Sequence, residues 1–361
     1  QGPAVFNRGI IARNIVQNVR ESPLHPGVLV LADLSSYRAC LRTPVSGSYR
    51  GYQIYGMPPP SSGGIAALEA LNLLERYPLE DLIREGETFV RIFSQAQRIA
   101  FMDRKHCLAD ADFVDIPRSK LISKKWARSR MRLIRHSSST REEIARRLGL
   151  AGNERTSHIS IMDALGNALA MTTTIEHYFG SAMVVPGRGF VLNNELTDFD
   201  AEPHRAFGRR RVPSLNRVES ERKPRRTAVD IPASLGGKRP LSSMSPTLVF
   251  KDGKPYASLG SPGGTQIIGV VLNVLVNLID FHMSAEEAVH APRLIHRGQG
   301  IEVEEEFFRN NPWMATWQSK GILVEVREPF GDLQLVLVEN PEEGWLSGAS
   351  DPRGEGTTQG I

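Results

Sequence analysis

Cysteine is scarce: Cys40 and Cys107 are the only two in 361 residues. Two thiols cannot build a disulfide framework, and their spacing fits no metal site. Each reads as a small buried apolar residue. The nine histidines form no pair at helical ligand spacing beside a carboxylate. Neither a metal nor any other cofactor is expected. Long apolar runs are missing too, which excludes a membrane-spanning helix. The first residue is Gln1, and no charged-then-apolar leader follows it. The amino terminus therefore reads as cut, and the compartment stays open between cytoplasmic and periplasmic or secreted. Charge of one sign is unevenly spread along the chain. Net charge is +4, yet residues 205–226 hold nine Lys or Arg against two Glu. Such a tract can bind nucleic acid or an anionic surface. It has one aromatic and no interleaved stacking residues, so it reads as a solvated loop, and no nucleic-acid partner is expected.

What is present is enough apolar content, 40%, to bury a large core as one big domain or two ordinary ones. Residues 4–20 place Phe6, Ile10, Ile11, Ile15, Val16 and Val19 on one helical face. "YRGYQIYGMPPPSSGG" (49–64) reads as a strand interrupted by prolines, leading into a helix start, and "IAALEALNLLERY" continues that helix. A second amphipathic helix spans 88–104, and a Lys/Arg-rich region, 118–147, reads as exposed helices and loops. From residue 157 the texture changes to alternation. "SHISIMD" and "ALAMTTT" flank an "ALGN" turn, and "GRGFVLNN" reads as a further strand. Residues 199–240 read as a long loop. "SPTLVFKDGKPYASLGS" is a hairpin about Asp252–Gly253, followed by an apolar helix over 265–281. Later strands fall near 300–304, 322–327 and 333–338. Helices first, sheet second, with one long helix docking on the sheets, predicts a layered α+β sandwich.

The alternating pair has chemical content. A three-residue turn at 164–166 pairs Asp163 with Asn167 and brings Thr156 opposite Thr174. Facing threonines are also ordinary sheet stabilisers. The second hairpin is expected to bring Ser242 opposite Gly263, so that "LSSMS" and "GSPGG" converge. Glycine N–H groups ahead of a helix suit an oxyanion hole, although the same glycines can merely turn the chain. A hydroxyl without a base is a weak nucleophile, and His158 points away from Ser157, on the opposite face. One solution is cleavage of the Arg155–Thr156 bond, so that the freed α-amine of Thr156 becomes its own base.

Seven stretches, taken in order, carry a resemblance: "MPPPSSGG" (57–64), "TSHISIMDALGNA" (156–168), "TTTIEHYFGS" (172–181), "GFVLNNELTDFD" (189–200), "RPLSSMSPTLV" (239–249), "GSPGGTQII" (260–268) and "GWLSGASDPRGEG" (344–356). They span nearly the whole chain, and together they resemble the gamma-glutamyltransferase (glutathione hydrolase) family of N-terminal-nucleophile hydrolases. The resemblance implies a four-layer αββα sandwich and a precursor that cuts itself before Thr156. Residues 1–155 would then be the mainly helical C-terminal part of a large subunit, and 156–361 the small catalytic subunit. It further implies that Thr174 assists Thr156, that Gly263 and Gly264 donate to the oxyanion, and that Ser242 and Ser243 hold the substrate α-carboxylate. Glu195 and Asp198 would hold the α-ammonium.

Three departures from the family pattern stand out. The family's large subunit begins upstream of Gln1, in a part that supplies further strands, helices and a carboxylate-pairing Arg. Glu176 stands where many members have Asn, which gathers three acids around one ammonium and resembles a subgroup of glutathione-hydrolase-like bacterial proteins. Residues 203–238 form an active-site lid region longer and more basic than is usual.

The expected partners are glutathione or other gamma-glutamyl compounds, with water or an amino-acid or peptide acceptor. Two alternatives stay open: an acylase of the same fold acting on glutaryl-cephalosporin substrates, and a non-catalytic truncated remnant that acts as a binding protein.

Overall fold

A computed structural model describes residues 2, 4–135, 154–200, 204–207, 210–218, 237–340 and 344–360. The helices are α1 (Ala4–Asn7), α2 (Ile10–Arg20), α3 (Leu31–Ser36), α4 (Gly63–Leu74), α5 (Leu79–Leu82), α6 (Glu87–Cys107), α7 (Arg118–Leu121), α8 (Lys124–Arg135), α9 (Ile267–Ile279), α10 (Ala285–His290), α11 (Glu305–Asn310) and α12 (Met314–Ser319). The strands are β1 (Val45–Tyr49), β2 (Tyr52–Gly56), β3 (Glu154–Met162), β4 (Ala168–His177), β5 (His204–Phe207), β6 (Arg210–Pro213), β7 (Thr247–Lys251), β8 (Lys254–Gly260), β9 (Leu294–His296), β10 (Ile301–Glu304), β11 (Val324–Arg327), β12 (Gln334–Asn340) and β13 (Trp345–Ser350). Among the described residues no helix is long and apolar enough to cross a membrane.

The central element is a six-stranded sheet in the order β1-β2-β7-β8-β12-β13, antiparallel throughout. β8 shows how the layers stack, because successive residues face opposite ways. Ala257 and Leu259 join the hydrophobic core with α4, α6 and α9. Ser258, between them, donates its hydroxyl to the Leu169 carbonyl of the β3–β4 hairpin at 2.7 Å. One face of the sheet thus carries helices, and the other carries the hairpin. This is the predicted α+β sandwich.

α4 is buried along its whole length, and its Ala- and Leu-rich sequence suits a helix. α9 (IIGVVLNVLVNLI) is full of β-branched residues that disfavour a helix in isolation. It is helical because it is buried on nearly every side. The Lys/Arg-rich region, read as exposed helices and loops over 118–147, contains α7 and α8 in its described part.

The β3–β4 hairpin closes as expected. The Asp163 carboxylate accepts from the Leu165 and Asn167 N–H groups at 2.9 and 2.8 Å, and Gly166 takes φ +82°. His158, Ser160 and Thr172 turn inward onto the sheet. Ile159, Ile161, Leu169 and Met171 turn outward and are 42–50% exposed.

Several expectations need correction. The first amphipathic segment breaks into α1 and α2, and Phe6 and Ile10 stay exposed. Residues 187–194 form no strand, only a Val184–Val191 bridge, because the backbone turns at Gly187 and Gly189 with positive φ. The expected unbroken loop of 199–240 carries the short β5–β6 hairpin. Its basic residues over 219–236, half of the expected lid 203–238, lie outside the described residues, as do 136–147 of the Lys/Arg-rich region. Ser242 is not opposite Gly263. A register shift between Val249 and Phe250 displaces the ladder, and Ser242 instead bridges Ser61. Cys40 is exposed and Cys107 only partly buried.

Candidate active site

The hairpin's open end presents the two threonines. Thr156 pairs with Thr174, and Thr156 Oγ1 donates to Thr174 Oγ1 at 3.2 Å. Thr174 Oγ1 in turn accepts the Glu176 N–H at 2.8 Å. The ladder is irregular here. Glu154 pairs with His177 and Thr156 with Thr174, so β4 carries one extra residue opposite position 155. Glu176 sits in that bulge at φ +72°, a left-handed conformation that costs a branched or long side chain about 1–2 kcal/mol. Asn tolerates the conformation better than Glu does.

A cleft of about 740 Å³ opens beside the pair. Thr156, Thr174, Glu176, Glu195, Asp198, Ser242, Ser243 and Gly264 all line it. These come from β3, β4, the 195–198 turn, the segment before β7 and the turn before α9. Gly263 does not border the cleft, although its neighbour does. Thr156 also borders a second cleft, of about 840 Å³, between β3 and residues 353–359.

The acids occupy one wall. Glu176 receives a short hydrogen bond from Asn194 Nδ2, and His177 Nε2 lies 3.1 Å from the same carboxylate oxygen. Glu195 differs: its Oε1 is buried and has no hydrogen-bond partner among the described residues. Burial, then the charges of Asp198 and Glu176, push its pKa up to about 7. A buried acceptor without a donor is costly and invites a cation.

The same cleft also holds hydroxyls backed by a guanidinium, groups that can receive an anion. Ser242 Oγ accepts the Met244 N–H at 3.1 Å, and Ser243 is 8% exposed. Arg104 of α6 donates from Nη2 to Ser243 Oγ and from Nε to Ser62 Oγ, both at 2.8 Å. Arg104 lines the cleft. Asp103 faces the other way, into a buried cluster with Arg130, Trp126 and Glu69. Burial and the neighbouring Asp103 hold the Glu69 carboxyl well above its usual range.

At the turn before α9, Gly263 takes φ +121° and Gly264 φ +50°. No described group accepts from either N–H, which leaves two donors for an oxyanion. The next residue, Thr265, is anchored by Arg297.

The whole chain, residues 1–361, matches the family profile described as Gamma-glutamyltranspeptidase. The chain belongs to the gamma-glutamyltranspeptidase family. It is 38% identical over 354 residues to the glutathione hydrolase proenzyme of Escherichia coli (strain K12), covering 98% of this chain and 58% of that protein. It is 33% identical over 363 residues to the acylase ACY 1 proenzyme of Pseudomonas sp. (strain V22), covering 100% of this chain and 59% of that one. The cephalosporin acylase from Bacillus halodurans superposes with a TM-score of 0.77 at 23% identity, over 99% of this chain and 60% of that one. That last likeness is one of fold, and the fold is the N-terminal-nucleophile hydrolase sandwich. The chain spans about three fifths of the length of these relatives.

Within this gamma-glutamyltranspeptidase frame, Arg104, Ser62, Asn194 and Arg297 are the residues sequence reasoning missed. Arg104 meets its partners 42 and 139 positions away. No local spacing could signal that. Tyr178 and Phe179 also line the cleft.

Proposed function

We propose that this chain carries the catalytic part of a self-processing gamma-glutamyl hydrolase or transferase. The observation that carries the reading is the pairing of Thr156 with Thr174 in a cleft that holds an orphan buried carboxylate oxygen on Glu195. In the processing step, Thr156 Oγ1 attacks the carbonyl carbon of residue 155. The backbone amide bond breaks as the ester forms, and the Thr156 nitrogen takes up the proton. Water then hydrolyses the ester, leaving residues up to Arg155 with a carboxylate and Thr156 with a free amine.

The mature amine serves as base for its own hydroxyl. Thr156 Oγ1 attacks the gamma-amide carbon of the substrate, and the oxyanion receives N–H donation from Gly263 and Gly264. The leaving amine departs with the proton. Water or an acceptor amine then releases glutamate or a new gamma-glutamyl amide.

The substrate head is a zwitterion. Ser242 and Ser243, with Arg104 behind Ser243, suit its carboxylate. Glu195 and Asp198, with Glu176 nearby, suit its ammonium. Glutathione is one member of that substrate class. The nearest second reading is a glutaryl acylase, supported by the 33% identity to an acylase proenzyme. A glutaryl group has no ammonium and would leave Glu195 Oε1 without a donor.

Mass spectrometry of the intact purified protein tests the first step: a fragment beginning at Thr156 is expected. Thr156→Ala should abolish both that fragment and hydrolysis of a gamma-glutamyl anilide. An unprocessed Thr156→Ala protein with wild-type turnover overturns the reading. Comparing gamma-glutamyl with glutaryl anilides separates it from the acylase.

A further inference from the structure

The head of the proposed substrate leaves one charge on the cleft wall unused. Arg297, in the loop after β9, lines the cleft beside Gly264 and Thr265. Its Nε and Nη2 donate to the two carboxylate oxygens of Glu302, each at 2.8 Å, and its Nη1 donates to Thr265 Oγ1 at 2.6 Å. A guanidinium has five N–H groups. The remaining two have no partner among the described residues. Glu302 is 3% exposed and is shared with Arg327. Two guanidiniums therefore share one carboxylate, and these three groups together carry a charge of +1.

The position of that charge matters. The oxyanion and the leaving nitrogen are bonded to the same carbon. A group anchored on Thr265, next to the Gly263–Gly264 donors, therefore lies on the side of the cleft that can serve the substituent on that nitrogen. In the gamma-glutamyl reading Arg104 and the hydroxyls of Ser242 and Ser243 are taken up by the α-carboxylate. We propose that Arg297 forms a subsite for a carboxylate on the leaving group. Amino acids and peptides with a free carboxylate are then better leaving groups than neutral amines. The inference rests on the gamma-glutamyl reading above and names the class of leaving group for that site. Glu302 and Thr265 hold the guanidinium in place, so little side-chain freedom remains to be lost when an anion binds. Its open N–H groups can make charge-assisted hydrogen bonds.

The test uses the intact protein and two substrates that differ in one group: a gamma-glutamyl anilide and the same anilide with a carboxylate on the ring. The readout is the ratio of their kcat/KM values. Wild type is expected to favour the carboxylated substrate. Arg297→Gln should reduce the ratio about tenfold, and Arg297→Lys should keep most of it. In wild type the preference should also shrink as ionic strength rises from about 0.05 to 0.5 M, as screening requires. That series decides the matter even if Arg297→Gln fails to fold. A ratio unmoved by Arg297→Gln, or independent of salt in wild type, overturns the subsite. So does an equal loss on both substrates, which would mean that Arg297 only positions the Thr265 loop. If wild type hydrolyses neither compound, the gamma-glutamyl reading itself has failed, and that outcome is distinct from a lost preference.

Discussion

Glu195 is a carboxylate held near pH 7 by burial and by two acidic neighbours. Its raised pKa means that the neutral form is favoured in the folded protein. The stability this contributes is present below the ordinary carboxylate pKa of 4.5 and is lost as pH rises through about 7. Ammonium binding needs the opposite form, the ionised one. The kcat/KM for a gamma-glutamyl anilide should therefore rise with pH through about 7, because this parameter reports the free enzyme. Glu195→Gln should lower activity and remove that inflection, which a pH–rate profile checks. Arg104 offers a second residue-level test. Hydrogen bonds to charged groups contribute about 1.5–3 kcal/mol, so Arg104→Ala should raise KM roughly tenfold to a hundredfold. Steady-state kinetics with Arg104→Lys as comparison would show partial recovery, since an ammonium cannot reach Ser62 and Ser243 in the same fork. The facing of Thr156 and Thr174 was legible in the sequence, because the hairpin register can be counted; the acids were named only through the family resemblance. Arg104 was not legible, because its partners come from other elements.

At the scale of elements, the hairpin that carries Thr156 is fastened to the sheet through one buried imidazole. His158 is 7% exposed and bonds Thr172 Oγ1 and Ser160 Oγ at 2.8 and 3.1 Å. Burial lowers its pKa to about 4. A depressed pKa gives stability that is present above the unfolded value of 6.5 and lost as pH falls toward 4. The shift corresponds to something on the order of 3 kcal/mol. The melting temperature should fall between pH 6.5 and 4, and His158→Gln should flatten that dependence. The ring also stacks directly on Gly260 of β8. A Cβ there would lie 2.3–2.8 Å from the ring atoms. Gly260→Ala should therefore push the hairpin off the sheet and destabilise by about 1–3 kcal/mol, as overpacking does, measurable by urea denaturation. Alternation in "SHISIM" and "ALAMTTT" revealed two faces for each strand. It did not reveal that the polar face, with His158, Ser160 and Thr172, turns inward.

For the whole molecule, the C-terminal tail is tied down by a charge cluster. Arg293 is fully buried and pairs closely with Asp351, while Arg353 binds Glu304 through Nε and Nη2, both at 2.6 Å, and Asp351 at 3.0 Å. Asp351 and Arg353 therefore pair structurally. Removing one partner strands a buried charge, which costs about 3–5 kcal/mol. Asp351→Ala should lower stability by that order in a denaturation experiment. The same tail borders the cleft beside Thr156, so loosened packing should also lower processing, read as the yield of the Thr156-initiated fragment.

Period, turn chemistry and charge placement depend only on near neighbours in the chain. They were enough to define the helix-then-sheet order, the α+β class, the first hairpin and its facing threonines. What they could not reach was set by packing. The hairpin's inward face, the one-residue slip in β7–β8 and the isolated oxygen of Glu195 arise where distant segments press together. The same holds for the guanidiniums aimed at Ser243 and Thr265. Burial and close approach are properties of volume, and a linear order of residues does not specify them.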